Sequence, residues 1–141
     1  MLSLTPVTNP STIPVTIKNV YDRVRLGDPE YINMMISPEK AYDICRDTSL
    51  VILVDNSRKL STEAPYLLDV TSKIVVVDHH RIGKDFVENS MLTYLEPYAS
   101  SACELVTEII YYMFEKIDLD KLIAESLLAG IVVDTKNFYY Q

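Results

Sequence analysis

Lys73-Ile74-Val75-Val76-Val77-Asp78-His79-His80-Arg81 is the stretch on which the fold turns. Its aliphatic residues run without a polar interruption and stop at an acid. Stiff β-branched side chains favour extended backbone, and an unbroken apolar run of this length reads as a strand buried on both faces. Ser49-Leu50-Val51-Ile52-Leu53-Val54 has the same character and also stops at an acid, Asp55. Met91 to Leu95 reads as a third, shorter strand. A polar loop and a helical turn or two over Ala64 to Val70 separate the first two runs.

Helical signals surround these strands. Ile17, Val20 and Val24 recur at helical spacing and stop near Gly27-Asp28-Pro29. Ser37-Pro38-Glu39-Lys40 combines an N-cap serine, proline at the first helical position and an acid in the first turn. That helix should carry Ala41, Ile44 and Cys45 on one face and end near Asp47. Ser100 or Ser101 caps a helix running to about Lys116, with Leu105, Ile109, Tyr112 and Met113 as its buried stripe. Asp118 or Asp120 opens a last helix through about Val132, with Leu122, Leu127, Leu128 and Ile131 inward; the Asp118-Leu119-Asp120 string reads as capping. Buried strands alternating with helices imply an α/β fold, a parallel sheet flanked by helices, whose ligands sit at the carboxyl ends of the strands. Both of the best strands end in aspartate at that edge.

The 141 residues are enough for one domain with a core, and 48% hydrophobic with 23% charged residues argues against disorder. No apolar run approaches the roughly 18 residues a membrane span requires, and no basic-then-apolar leader opens the chain. Cys45 and Cys103 are the sole cysteines. Without CxxC spacing they read as buried thiols of a reducing compartment, hence an expected cytoplasmic location. A net charge of −7 argues against a face that wraps long nucleic acid. It leaves an anionic substrate open, because a site that holds divalent cations is itself acidic.

A lone acid at a strand end most often serves a turn or cap. Here the protein's only two histidines, His79 and His80, adjoin Asp78 at the sheet's carboxyl edge. Imidazole with carboxylate suits Mn²⁺, Fe²⁺ or Zn²⁺, and a carboxylate-rich set leans to Mn²⁺. Adjacent histidines on an extended chain point opposite ways, so one is expected to ligate while the other faces elsewhere. Asp134 is a third candidate. It follows Gly130-Ile131-Val132-Val133 at an apolar helix end, where the dipole disfavours an acid and a cation would compensate.

Val75-Val76-Val77-Asp78-His79-His80-Arg81 resembles the signature of the DHH superfamily of phosphoesterases, which includes RecJ nucleases, nanoRNases and cyclic di-AMP phosphodiesterases. Leu53-Val54-Asp55-Asn56-Ser57-Arg58-Lys59-Leu60-Ser61 is similar to the family's second motif. Glu96-Pro97-Tyr98-Ala99-Ser100-Ser101 and Ala129-Gly130-Ile131-Val132-Val133-Asp134-Thr135-Lys136-Asn137-Phe138 are similar to its GdpP-like branch, the membrane-tethered cyclic di-AMP phosphodiesterases. The resemblance runs from about Ile13 to the end, with residues 1–12 as an irregular leading segment and 13–141 as a partial DHH domain.

The resemblance implies that Asp55 bridges a pair of Mn²⁺ ions and that His79 and Asp134 complete the shell of one of them. It makes Asp78 and His80 the catalytic pair, with Asp78 orienting His79 through a ring nitrogen. It assigns His80, Arg81, Ser100 and Ser101 to substrate binding, Arg81 by its fork of guanidinium donors. Three departures qualify it. The His-x-x-x-Asp-x-Asp motif that supplies the other ion's shell in the family does not occur, so at most one ion is expected here. The glycine- and histidine-rich DHH-associated domain is expected to be absent as well. Asn56-Ser57 stands where Thr-His is common.

The expected function is that of a Mn²⁺-dependent phosphodiesterase acting on cyclic di-AMP in the intact protein, this piece being inactive by itself. The alternatives are a nanoRNase-type phosphodiesterase of short oligonucleotides and a non-catalytic remnant that binds a partner or nucleotide. No membrane contact is expected from this segment, though the whole protein is expected to be membrane-anchored. Lacking the first strand of the sheet, the chain is also expected to self-associate.

Overall fold

The computed structural model describes residues 6, 7, 13, 15–27, 31 and 34–139; apart from residues 6 and 7, the irregular segment read over 1–12 lies outside these. The element order is α1 (Val15–Gly27), α2 (Pro38–Ile44), β1 (Val51–Val54), 3-10 turns at Lys59–Ser61 and Pro65–Asp69, β2 (Ile74–Asp78), β3 (Leu92–Leu95), α3 (Ala102–Met113) and α4 (Lys121–Asp134). The three strands lie in the order β1-β2-β3 and both pairings are parallel. The α/β class and parallel sheet expected from the apolar runs are therefore present.

Local chemistry sets the helix starts. Ser37 Oγ accepts from the Lys40 amide at 3.3 Å, with Pro38 at the first helical position. Of the alternatives at the later helices, Ser101 caps α3 by accepting from the Glu104 amide at 3.1 Å, and Asp120 caps α4 by accepting from Leu122 at 2.7 Å. Each satisfies an amide that the first helical turn leaves without an intrahelical partner. The Glu104 carboxylate completes the α3 cap by accepting from the Ser100 amide at 2.6 Å, which holds its carboxyl below the usual value. The ends are shorter than the periodicity suggested for α2, which stops at Ile44, and for α3, which stops at Met113.

Register assigns the two faces of the sheet. Val51 pairs with Ile74 and Leu53 with Val76, so these four share one face. Leu53, Ile74, Val76 and Val87 form a buried cluster there, with Val51 and Leu68 packed against it. A neighbouring cluster of Ile36, Ala41, Ala64 and Leu67 ties α2 and the second 3-10 turn to it through Val51. On the other face α3 packs across β2, with Leu105 and Val77 buried. The Tyr94 hydroxyl donates to Glu108 at 2.6 Å, joining β3 to α3 and pushing the phenol up to about 12. Beyond α3 lies α4, and beyond α4 lies α1, linked by an Arg23–Glu125 ion pair.

Two sequence expectations are corrected. β1 is buried on one face only: Ile52 and Val54, which share the face of α3, are 42% and 49% exposed. β1 is an edge strand of the sheet and the helical layer lies over β2. The stripe on α3 is also shorter than read. Leu105 is buried and Ile109 half-buried, but Tyr112 and Met113 are exposed, as is Leu128 on α4. Periodicity locates an apolar face without saying how far along the helix a neighbour covers it. Among the described residues no helix is long and apolar enough to cross a membrane, and both cysteines are free and half-buried.

The contrast within α3 is testable by urea unfolding. Leu105→Ala should cost about 2–5 kcal/mol, the usual range for truncating a buried leucine. Tyr112→Ala should stay within about 0.5 kcal/mol of the parent, as an exposed side chain does. Equal effects would mean that α3 packs differently.

Candidate metal centre

All three strands point their carboxyl ends to one edge, and the loops leaving that edge bring the candidate residues together. The Asp55 amide donates to the Val77 carbonyl at 2.9 Å, extending the ladder one residue past β1. There the backbone turns left-handed, φ 60°, a conformation that aspartate tolerates better than most residues. Asp55 therefore leaves the strand plane at the site rather than continuing along the edge.

Asp78, the last residue of β2, is fully buried. Its Oδ1 accepts from the His79 amide at 2.8 Å, the His80 amide at 3.2 Å and His80 Nδ1 at 2.7 Å. The buried Ser57 hydroxyl favours the ionised form, although neither its Oγ nor Asp78 Oδ2 has a partner in hydrogen-bond geometry. Burial by itself raises the pKa of this carboxyl, but the interactions with Ser57 and His80 outweigh it and hold the group below the usual value.

This turn changes the expected direction of the histidines. They do not alternate. Asp78 collects both backbone amides, so the chain bends and the two imidazoles lie on one side with ring centroids 4.7 Å apart. The ring that Asp78 orients is that of His80. The His79 ring is oriented by a backbone group: its Nδ1 lies 3.3 Å from the Ala99 carbonyl oxygen. An N–H at Nδ1 satisfies that carbonyl and leaves Nε2 with a free lone pair.

His79 Nε2 faces the carboxylates. It is 3.3 Å from Asp55 Oδ1 and 3.8 Å from Asp134 Oδ2, in a side chain only 18% exposed. Asp55, His79 and His80 each offer an atom within 4.8 Å of the others, and Asp134 joins the group through His79. Two carboxylates converging on one imidazole nitrogen accept either a proton on that nitrogen or a cation between them. Burial first, then repulsion from Asp134, raises the Asp55 carboxyl above its usual value. The donor set and its charge fit a divalent ion with mixed oxygen and nitrogen preference.

Asp134 reaches the group because α3 and α4 touch closely. A Cβ on Gly130 would stand 2.2 Å from the Cys103 sulfur, so only glycine permits this crossing. The Cys103 thiol is raised by its burial, and by the Asp134 and Asp55 carboxylates beside it. Asp134 is the last residue of α4, against the helix dipole as expected. Past it the backbone of Lys136, Asn137 and Phe138 is left-handed, with φ of 47°, 63° and 62°. Such backbone costs roughly 1–2 kcal/mol per ordinary residue.

The expected substrate-binding residues divide. His80 is more than half exposed, and Arg81 is exposed on the loop that follows it. Ser100 is half-buried and gives its amide to Glu104. Ser101 departs from the expectation: it is fully buried, with its hydroxyl committed to capping α3. Residues to which the motifs assigned no role also shape the site, namely Ser57 by its effect on Asp78, Ala99 at His79 and Gly130 against Cys103. Of these only Gly130 carried a signal, since glycine inside an apolar helix costs about 1 kcal/mol against alanine and marks a close approach.

The chain is thus a parallel α/β domain whose carboxyl edge gathers Asp, His and His, and comparison with known proteins identifies its family. Residues 9–131 match the family model "DHH family, N-terminal domain", and the chain belongs to that family of phosphoesterase hydrolases. It is 36% identical over 132 residues to the cyclic-di-AMP phosphodiesterase GdpP of Bacillus subtilis, spanning 94% of this chain and 20% of that protein. Against GdpP of Geobacillus thermodenitrificans it is 48% identical over 103 residues, 73% of this chain and 16% of that one. A probable manganese-dependent inorganic pyrophosphatase of Thermotoga maritima is 33% identical over 97 residues, 68% and 17% of the two chains. The chain thus spans a fifth or less of the length of these relatives. An exopolyphosphatase-related protein from Bacteroides fragilis shares the fold with a TM-score of 0.66 at 22% identity, over 90% of this chain and 36% of that structure.

Calorimetric titration with Mn²⁺ tests the centre. The parent chain should bind one ion, His79→Ala should lose it, and Asp134→Asn should bind more weakly. Affinity should fall on acidification, because ligand protonation competes with the ion and Asp55 takes up its proton at a higher pH than an ordinary aspartate. Binding that is indifferent to pH, or unchanged in His79→Ala, would place the ion elsewhere.

Proposed function

We propose that this chain is the metal-binding portion of a phosphodiesterase that opens cyclic di-AMP to linear pApA. The observation that carries the proposal is the convergence of Asp55 Oδ1 and Asp134 Oδ2 on His79 Nε2, at 3.3 and 3.8 Å. Two relatives that match 94% and 73% of the chain bear the name of cyclic-di-AMP phosphodiesterase, which favours that substrate over short oligonucleotides.

Asp55, His79 and Asp134 would hold Mn²⁺, His79 through Nε2 because its Nδ1 faces a carbonyl. The preference for Mn²⁺ is supported by the carboxylate-rich donor set and by the name of the pyrophosphatase relative. Bound there, the ion supplies Lewis-acid polarisation of the phosphodiester and charge neutralisation.

The chain's own groups do the remaining work. His80 has Nδ1 committed to Asp78, so Nε2 is the nitrogen it presents at the exposed side of the site. The buried Asp78 carboxylate fixes that tautomer and holds the ring in place. His80 is thereby placed to exchange a proton with the reacting phosphodiester. Hydrolysis adds water across one P–O bond: hydroxyl goes to phosphorus, and the departing ribose oxygen takes the proton. Arg81 offers a planar set of donors to the anionic oxygens. The described residues provide for one ion, and residues 13–141 are read as one part of the catalytic unit.

The test uses the protein as its gene encodes it. With Mn²⁺, cyclic di-AMP should be converted to pApA, as followed by chromatography, and Asp55→Asn or His79→Ala should abolish the conversion. His80→Ala should retain Mn²⁺ binding while losing roughly 100-fold or more in rate, the usual contribution of a positioned acid–base group. Cleavage of linear pApA with cyclic di-AMP untouched would transfer the assignment to short oligonucleotides.

A further inference from the structure

We infer that Thr135 is a positioning residue: its buried hydroxyl clamps a left-handed turn that seals the end of α4 and holds the Asp134 carboxylate at His79. The inference rests on the metal-site reading of Asp134, but one arm of its test does not.

Thr135 follows Asp134 and is 5% exposed. Its Oγ1–H donates to the Ile131 carbonyl at 2.7 Å, and the same oxygen accepts from the Phe138 amide at 3.0 Å. One hydroxyl therefore joins the last turn of the helix to the far end of the left-handed segment. The amides between complete the seal. Thr135 donates to Ile131 at 3.0 Å, Lys136 to Val133 at 3.2 Å and Asn137 to Val132 at 2.8 Å. The carbonyls of Ile131, Val132 and Val133 would otherwise lack an intrahelical partner, and here each has one.

The turn has little to recommend it on its own. Lys136, Asn137 and Phe138 are consecutive, none is glycine, and all have positive φ. The backbone would leave this conformation if the hydrogen bonds were released. The carbonyls of Ile131, Val132 and Val133 would then lose their caps, and the final helical turn would fray. Asp134 is the terminal residue of that turn, so its carboxylate would be the first group displaced from His79 Nε2. The dipole also disfavours an acid there, so a cation at the site and the clamp at Thr135 oppose the same fraying. Mn²⁺ binding and turn closure are then linked: each should strengthen the other.

The experiment compares Thr135→Val, which keeps the shape and removes the hydroxyl, with Thr135→Ser, which keeps the hydroxyl. Mn²⁺ affinity measured by calorimetry should fall roughly 10- to 100-fold in Thr135→Val, the range for losing a group that orients a ligand, and stay at the parent level in Thr135→Ser. In metal-free protein, the His79 ring signals by NMR should move in Thr135→Val toward their positions in Asp134→Asn. A parent that binds no Mn²⁺ would end the metal reading, while the His79 signals would still decide the role of Thr135. Asn137→Val leaves Thr135 in place but puts a β-branched residue at φ 63°, and should reproduce the Thr135→Val effects even if that variant fails to fold. Unmoved His79 signals in the folded variants would overturn the inference, as would parent-like Mn²⁺ affinity in Thr135→Val.

Discussion

The carboxylate of Asp78 is the constraint on which the site depends. It lies at the end of the central strand, out of contact with solvent, and remains a carboxylate because the groups around it favour the charge. Its Oδ1 accepts from two successive backbone amides and one imidazole nitrogen. Those bonds end the extended conformation of β2 and bend the chain so that both histidine rings project to the same side. A buried acid without such donors would neutralise or force the fold to open. Here the cost of burying it is offset by donors that the turn itself supplies, so the turn and the charge stabilise each other.

Around that point the sheet gathers candidate ligands from segments remote in sequence. Parallel pairing brings the ends of β1 and β2 side by side, which places Asp55 next to the histidines without any local motif joining them. The third carboxylate arrives from a helix. Its position follows from the α3–α4 crossing, where the bare Cα of Gly130 lets the Cys103 sulfur approach. The His79 tautomer is fixed by the carbonyl of Ala99, in the turn leading to the Ser101 cap. The same segment thus starts α3 and aims the imidazole, and the capping of α3 belongs to the support of the site. One of the two edges of the sheet among the described residues, that of β1, lies on the Asp55 side. Ile52 and Val54 expose apolar surface there, and Asp55 is the more exposed member of the His79–Asp55 pair.

Much of this was legible in the amino-acid order, and the reason is local. Aliphatic runs ended by acids specify strands and their carboxyl ends, because β-branched residues favour extended backbone and a polar residue ends burial. Ser37, Ser101 and Asp120 announce helix starts through hydrogen bonds made within three residues. The adjacency of Asp78, His79 and His80 needs no tertiary structure to be noticed, and Asp134 was marked by its conflict with a helix dipole.

Tertiary structure decided the rest, because the deciding contacts join residues far apart or depend on what covers a surface. Whether Ile52 and Val54 are buried depends on the width of the helical layer, and hydropathy does not encode that width. Which histidine Asp78 orients depends on a turn that only the folded edge closes, and the Ala99 carbonyl that serves His79 carries no side-chain signal. Ser101 suits a substrate contact or a cap equally well as a residue type, and burial selects the cap. The chain's order determined which groups are capable of holding a metal ion; the packing of α3 against the sheet and α4 determined that Asp55, His79 and Asp134 meet, since convergence is a property of three-dimensional neighbours.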